Sequence, residues 1–135
     1  MKFASLAIGL GLLLGVGAAR GAGDDFEATL LCRVEPGSNR VVCRLDYQPP
    51  PGRKLAWADA LVIDAPDFVR ALRARVPAAV EEGGAAARAE LALVGSQSGS
   101  GKLRVRARLV ACRESTGVRQ CSAFTRTLER ELLLP

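Results

Sequence analysis

Residues 26–47 read FEATLLCRVEPGSNRVVCRLDY, two strand-like runs on either side of a Pro-Gly-Ser-Asn turn. Each run carries one cysteine, and Cys32 can lie directly opposite Cys43. In that register one face of the pair is almost wholly apolar and the other is mostly polar, because side chains alternate along a strand. A one-residue slip would pair each apolar position with a polar one. The register that permits a disulfide is therefore the register that builds a core face, and the stretch predicts a disulfide-stapled β-hairpin.

The C-terminal part of the chain predicts a second stapled hairpin. With Cys112 opposite Cys121, Arg104 faces Glu129, and the apolar positions of the two runs also pair with one another. The eight residues between the cysteines, RESTGVRQ, are interpreted as an exposed polar loop. A Gly/Ser-rich run at residues 95–101 is interpreted as a flexible hairpin loop between a strand at residues 88–94 and the strand at residues 102–111.

Two residues of the second hairpin do not fit its pattern. Arg126 and Arg130 fall on the side that is otherwise apolar. Either they lie beyond the edge of the core, or a β-bulge shifts the register of the two strands.

The N-terminus has the layout of a secretory signal peptide. Lys2 precedes an apolar run over residues 3–19, and small residues follow it. We expect residues 1–21 to be removed, with cleavage between residues 18 and 23, leaving one exported domain at residues 22–135. The alternative is a retained membrane anchor. After cleavage no stable membrane span is expected, and the domain is expected in the periplasm or outside the cell.

Four cysteines remain in the exported part, and in an oxidising compartment they are expected to pair. Three connectivities are possible, and the local solution, Cys32–Cys43 with Cys112–Cys121, is favoured. The spacing of Cys43, Trp57 and Cys112 resembles the core of an immunoglobulin domain, which would need a bridge between Cys43 and Cys112 instead. The tyrosine that such a core carries two residues before its second cysteine is replaced here by Val110.

The middle of the chain is expected to cross between the two hairpins. Residues 54–63 are apolar and predict a buried strand, with Trp57 filling the core and Asp59 on the same side as Trp57. Residues 66–75 predict a short helix, because Asp64 can cap it and Pro66 suits its first turn. The competing interpretation is an irregular crossing loop, and residues 78–87 are expected to form a loop with partial order. The fold class is therefore mainly β: a small antiparallel β-sandwich, immunoglobulin-like at most by analogy, with two stapled hairpins and one short helix.

No catalytic or metal site is predicted. The chain has no histidine, which removes the commonest general base and most zinc sites. The aspartates do not have the spacing of a calcium loop. We therefore expect no enzyme activity, no metal and no cofactor.

A basic row is the most distinctive surface feature, formed by Lys102, Arg104, Arg106 and Arg108 on one face of a predicted strand. This row could bind an anionic ligand, or it could be a solvated face paired with acidic residues of the neighbouring strand. Aromatic residues that could stack on bases are missing from this face, so nucleic acid is not an expected partner.

The second cysteine pair has two interpretations, a structural staple and a redox pair. The segment that begins at Cys121, CSAFTRTL, resembles the C-terminal hairpin of the periplasmic immunoglobulin-like domain in transmembrane thiol:disulfide interchange proteins. That resemblance implies thiol–disulfide exchange at Cys112 and Cys121. The cysteines of that family are closer together and are followed by prolines that this chain lacks.

The sequence is compatible with three functions. The first is a non-catalytic exported domain that binds a protein partner or serves as a structural accessory. The second is a periplasmic redox partner that uses Cys112 and Cys121. The third is an anion-binding surface module that uses the strand at residues 102–108.

Overall fold

The structure, a computed structural model, describes residues 25–135. The predicted signal peptide and its cleavage sites lie outside the described residues. Within residues 25–135 the chain is mainly β, with nine strands in two antiparallel sheets and two disulfides. No helix in this range could span a membrane.

Five strands form the first sheet, sheet A: β1 (Glu27–Val34), β2 (Arg40–Gln48), β4 (Val69–Ala71), β6 (Ala79–Val80) and β7 (Ala87–Gly95). Their order is β1-β2-β7-β4, and β6 also pairs with β7. The β1–β2 hairpin has the predicted register, with Cys32 opposite Cys43. Its apolar face is buried, since Cys43, Leu45 and Tyr47 are all 0 % exposed.

Four strands form the second sheet, sheet B: β3 (Lys54–Asp64), β5 (Arg75–Pro77), β8 (Gly99–Ser115) and β9 (Val118–Leu134). Their order is β5-β3-β8-β9. Cys112 lies opposite Cys121, as predicted, and the β8–β9 register runs without a shift.

The eight-residue loop predicted between Cys112 and Cys121 is wrong. β8 and β9 continue past the disulfide and join through Thr116 and Gly117 alone, whose φ angles are +49° and +76°. Two consecutive positive φ values are typical of the primed turns that suit the twist of a hairpin. Residues 113–120 therefore form a two-stranded ribbon, and all eight are exposed.

The helix predicted over residues 66–75 is also wrong. This segment contributes β4 to sheet A and then β5 to sheet B, before β6 returns to sheet A. Its backbone groups are satisfied by neighbouring strands: Val62 N–H donates to Ala74 C=O at 2.8 Å and Leu72 N–H donates to Ala92 C=O at 2.9 Å. A helix of about ten residues is marginal by itself, and here the unpaired edges of both sheets offer the segment better partners.

The two loops predicted in the middle of the chain are shorter than expected. Part of residues 78–87 pairs with β7 as β6. Most of the Gly/Ser run at residues 95–101 belongs to strands, and only residues 96–98 lie between β7 and β8. The hairpin predicted there is wrong, because β7 belongs to sheet A and β8 to sheet B.

Side chains from both sheets belong to one buried hydrophobic cluster. Its largest fully buried aliphatic members come from β2 and β7 in sheet A and from β8 in sheet B: Leu45, Leu91, Leu93, Leu103, Val105 and Leu109. A hydrogen bond also joins the sheets, because the Tyr47 hydroxyl donates to the Asp59 carbonyl oxygen at 2.6 Å.

Arg126 and Arg130 lie on β9, which is an edge strand. Since the β8–β9 register does not shift, both side chains are on the core-facing side of the strand, and the bulge is not the explanation. Arg126 lies over the Phe26 ring, with Cζ 5.7 Å from the centroid, and 4.0 Å from an oxygen of Asp25. Inward-pointing charges on an edge strand hinder pairing with another chain.

Candidate functional site

Trp57 does not fill the core, contrary to the prediction from the sequence; it is 38 % exposed. Leu55 pairs with Ala111 and Trp57 pairs with Val110, so Ala56 is an extra residue in β3. A β-bulge of this kind reverses the alternation of side chains along the strand. Leu55 therefore faces the core, and Trp57 faces outward.

Asp59 follows Trp57 on the outer face of sheet B, yet it is 0 % exposed. Arg108 covers it from β8 and donates to both carboxylate oxygens, with Nε to Oδ1 at 2.8 Å and Nη2 to Oδ2. Arg75 covers it from β5 and donates from Nε to Oδ2 at 2.7 Å. Asp59 therefore binds two arginines that belong to the strands on either side of its own.

The two arginines also contact the tryptophan. The Cζ atoms of Arg75 and Arg108 lie over the Trp57 ring, 6.0 and 5.6 Å from its centroid. Guanidinium groups at this distance are attracted by the negative face of the ring. Trp57, Asp59, Arg75 and Arg108 thus form one connected unit, the Trp57 cluster.

The charge state of Asp59 follows from these contacts. Burial by itself would raise the pKa of the Asp59 carboxyl, but the hydrogen bonds and charges of Arg108 and Arg75 outweigh burial and lower the pKa below its usual value. Burial raises the pKa of the Tyr47 hydroxyl, and the Asp59 charge adds to that effect. At neutral pH Asp59 of the cluster is therefore a carboxylate, and the nearby Tyr47 side chain is a neutral phenol.

The predicted anion-binding row lies on the outer face of sheet B, at Lys102, Arg104, Arg106 and Arg108. Trp57 lies on the same face, so the prediction that this face lacks aromatic residues is wrong. Most of its charge is already paired. Glu129 lies 3.2 Å from Arg104 and 3.9 Å from Lys102, and Asp59 binds Arg108. Among residues 25–135, only Arg106 of this row has no salt-bridge partner.

Arg75 belongs to the site but is not among the residues predicted from the sequence. Arg75 was assigned to the predicted helix, so it was not considered as a sheet residue. The signal that could have found it is Arg75-Val76-Pro77, a short polar–apolar alternation that ends in a proline, as edge strands can. In the structure Val76 packs against the core and Arg75 points outward.

The two disulfides differ in their surroundings. Cys43 is 0 % exposed within the core cluster, and Cys32 packs against that cluster. Cys112 is 5 % exposed and its partner Cys121 is exposed, at the base of the ribbon formed by residues 113–120. A cavity of about 240 Å³ beside Cys112 is lined by Gly52, Lys54, Cys112, Glu114 and Arg119.

This difference predicts selective reduction. Thiol–disulfide exchange requires a thiolate to reach one sulfur of the bridge, and only the second bridge has an exposed cysteine. We expect dilute dithiothreitol to reduce Cys112–Cys121 at least tenfold faster than Cys32–Cys43. Alkylation followed by peptide mass spectrometry at successive times measures both rates, and equal rates would contradict the expectation.

Metal ligands and further buried charged groups were looked for among the residues that the structure describes. Residues 25–135 contain no group of three or more His, Cys, Asp or Glu side chains that could hold a metal ion. Asp59 is the only buried charged side chain in this range, and both of its oxygens already accept hydrogen bonds from arginines. What the site presents is a half-exposed indole with two oriented guanidinium groups over its ring.

No protein-family model, no curated protein and no solved structure matches this chain. The two disulfides fit an oxidising, exported environment.

Proposed function

We propose that this chain is an exported, non-catalytic binding module that recognises a protein partner through the outer face of sheet B. The observation that carries the proposal is the Trp57 cluster. Tryptophan and arginine are enriched among the residues that dominate protein–protein binding energy. Here one tryptophan and two arginines meet on a single exposed patch.

The cluster is suited to binding because its side chains are held before a partner arrives. Ordering a long side chain at an interface costs about 0.5–1.5 kcal/mol. Asp59 already restrains Arg75 and Arg108, which remain 61 % and 35 % exposed. A partner that covers them would therefore meet groups whose freedom has already been reduced.

We further propose that the two sheets stack as a small β-sandwich, immunoglobulin-like only by analogy. The shared hydrophobic cluster and the hydrogen bond from Tyr47 to Asp59 support that arrangement. In such a sandwich the outer face of sheet B points to solvent and is free for a partner.

A second proposal is a redox partner role for Cys112 and Cys121. The exposure of Cys121 supports it, because a partner thiolate could reach that sulfur. The reduction rates described above test this role, and a second bridge that resists reduction as strongly as the first would exclude it.

The binding proposal is tested by comparing Trp57→Ala with a matched control. Leu31 is 44 % exposed on the outer face of sheet A, so Leu31→Ala removes a similarly exposed apolar side chain from the other sheet. Each protein is immobilised and exposed to the exported proteins of the source cells, and the retained proteins are quantified. We expect Trp57→Ala to lower recovery of the main partner at least tenfold and Leu31→Ala to leave it unchanged. Equal recovery with all three proteins would exclude this face.

A further inference from the structure

We propose that Arg75 and Arg106 form an arginine pair that receives a carboxylate of an acidic protein segment beside Trp57. This inference rests on the proposed function and adds the chemistry of the partner. The proposed site is not the row along β8 but a pair of residues at the same level on the two strands that flank β3.

The register of sheet B positions the pair. Leu61 of β3 lies opposite Arg75 of β5 on one side and opposite Arg106 of β8 on the other. Neighbouring strands are about 4.8 Å apart, so the two arginine backbones are about 10 Å apart. Leu61 is half-buried between them and forms an apolar floor. A single carboxylate can enter the space between two arginine side chains that start at this separation.

Both arginines have donors to offer. Only Nε of Arg75 is used, on Asp59, so its two terminal nitrogens are not engaged by any residue in the described range. Arg106 is exposed and makes no ion pair with residues 25–135. Arg75, Arg106 and Arg108 carry three positive charges against the one of Asp59, which leaves an excess of two. A planar guanidinium can bind a carboxylate through two parallel hydrogen bonds.

The surroundings favour a protein segment over a glycan or a nucleic acid. Among residues 25–135, Trp57 is the one aromatic side chain on the outer face of sheet B, whereas surfaces that bind single-stranded nucleic acid stack successive bases on several rings. Two half-exposed apolar side chains lie on this face: Leu61 between the two arginines, and Val110 opposite Trp57. An acidic peptide can cover these apolar groups with its own side chains, whereas a sulfated glycan would leave them in water.

The test uses a hexaglutamate peptide as the probe and NMR of the arginine Nε–Hε groups as the readout. We expect saturable shifts at Arg106 and Arg75, and no saturable shift at Arg33 on the outer face of sheet A. Arg106→Glu should raise the Kd at least tenfold. Arg106→Lys should raise it by a smaller factor, because lysine keeps the charge but loses the two-pronged donor geometry.

Arg33→Glu is the matched control, because it makes the same change in net charge at an exposed position of the other sheet. An equal loss of affinity in Arg33→Glu and Arg106→Glu would mean that only net charge matters and would overturn the arginine pair. A sulfated hexasaccharide that binds more tightly than hexaglutamate would overturn the choice of a protein segment. In the capture experiment with the immobilised protein, recovery of the partner that depends on Trp57 but not on Arg106 would overturn the arginine pair and leave the proposed function standing. Recovery of the partner that is unchanged by Trp57→Ala would overturn the proposed function itself.

Discussion

Arg108→Met should lower the free energy of unfolding by about 3 kcal/mol, because the buried Asp59 carboxylate keeps only one of its two arginine partners, Arg75. Arg108 is the residue that binds both oxygens of the fully buried Asp59. Methionine keeps an unbranched apolar side chain at the position, so the change reports mainly on the lost charge. Urea unfolding followed by far-ultraviolet circular dichroism, with the disulfides intact, gives the free energy.

Arg104→Met is the matched control for this change. Arg104 is on the same face of the same strand, but its partner Glu129 is exposed, and an exposed pair contributes about 1 kcal/mol or less. The double variant Asp59→Leu/Arg108→Met should cost less than Arg108→Met alone, since it removes the buried carboxylate together with its partner. If Arg108→Met costs no more than Arg104→Met, Asp59 does not depend on its arginines.

The same ion pairs give the fold a defined pH dependence. The pKa of Asp59 is lower in the folded chain than its usual 3.8. Its contribution to stability is therefore present above that usual value and is lost as the pH falls through the lowered value. In Arg108→Met the pKa of Asp59 should rise towards its usual value, so the part of the acid loss of stability that Asp59 contributes should become smaller.

Gly84→Ala should lower the free energy of unfolding by about 2–4 kcal/mol, the sum of a left-handed backbone penalty and a steric clash. Gly84 has φ +72°, and a Cβ there would lie 2.6 Å from the carbonyl oxygen of Leu55 and 2.9 Å from its nitrogen. Leu55 N–H also donates to Gly84 C=O at 2.8 Å. Because Leu55 directly precedes the bulge that turns Trp57 outward, the clash should also shift Trp57 fluorescence.

Gly83→Ala is the matched control, because it has the left-handed backbone penalty without the steric clash. Gly83 has φ +86°, but a Cβ there would meet nothing within 4 Å. It should cost only the backbone penalty of about 1–2 kcal/mol and leave Trp57 fluorescence unchanged. An equal loss of unfolding free energy at the two glycines would mean that a Cβ at residue 84 does not clash with Leu55 of β3.

The two hairpins could be predicted from the sequence because two independent constraints agreed in each. The register that placed Cys32 opposite Cys43 also gathered the apolar side chains on one face, and the structure has that register. The same agreement held for Cys112 and Cys121. Period-two alternation is reliable where one face is buried along the whole strand.

The segment from residue 65 to residue 80 could not be predicted because its conformation depends on partners that are distant in sequence. Its cap-like Asp64 and spaced apolar residues favour a helix locally, but Arg70 pairs opposite Val94 and Arg75 pairs opposite Leu61. Only the tertiary structure reveals those two sheet edges. Arg75 was therefore missing from the candidate site.

The exposed Trp57 escaped prediction for a different reason. One extra residue, Ala56, reverses the side-chain alternation of β3, and bulges of this kind have no strong sequence signature. Asp59 was correctly placed on the side of Trp57, but that side is the outer face and not the core. The alternation pattern showed that the two side chains share a face of the sheet, but it assigned them to the wrong face.

The proposed partner should bury the indole of Trp57, and fluorine NMR reports on that burial. Trp57 is the only tryptophan in the chain, so replacement by 5-fluorotryptophan gives a single resonance. Adding the captured partner should shift this resonance and reduce its sensitivity to exchange of H₂O for D₂O, because the half-exposed ring becomes buried. A complex that forms with the resonance and its solvent sensitivity unchanged would contradict binding over Trp57.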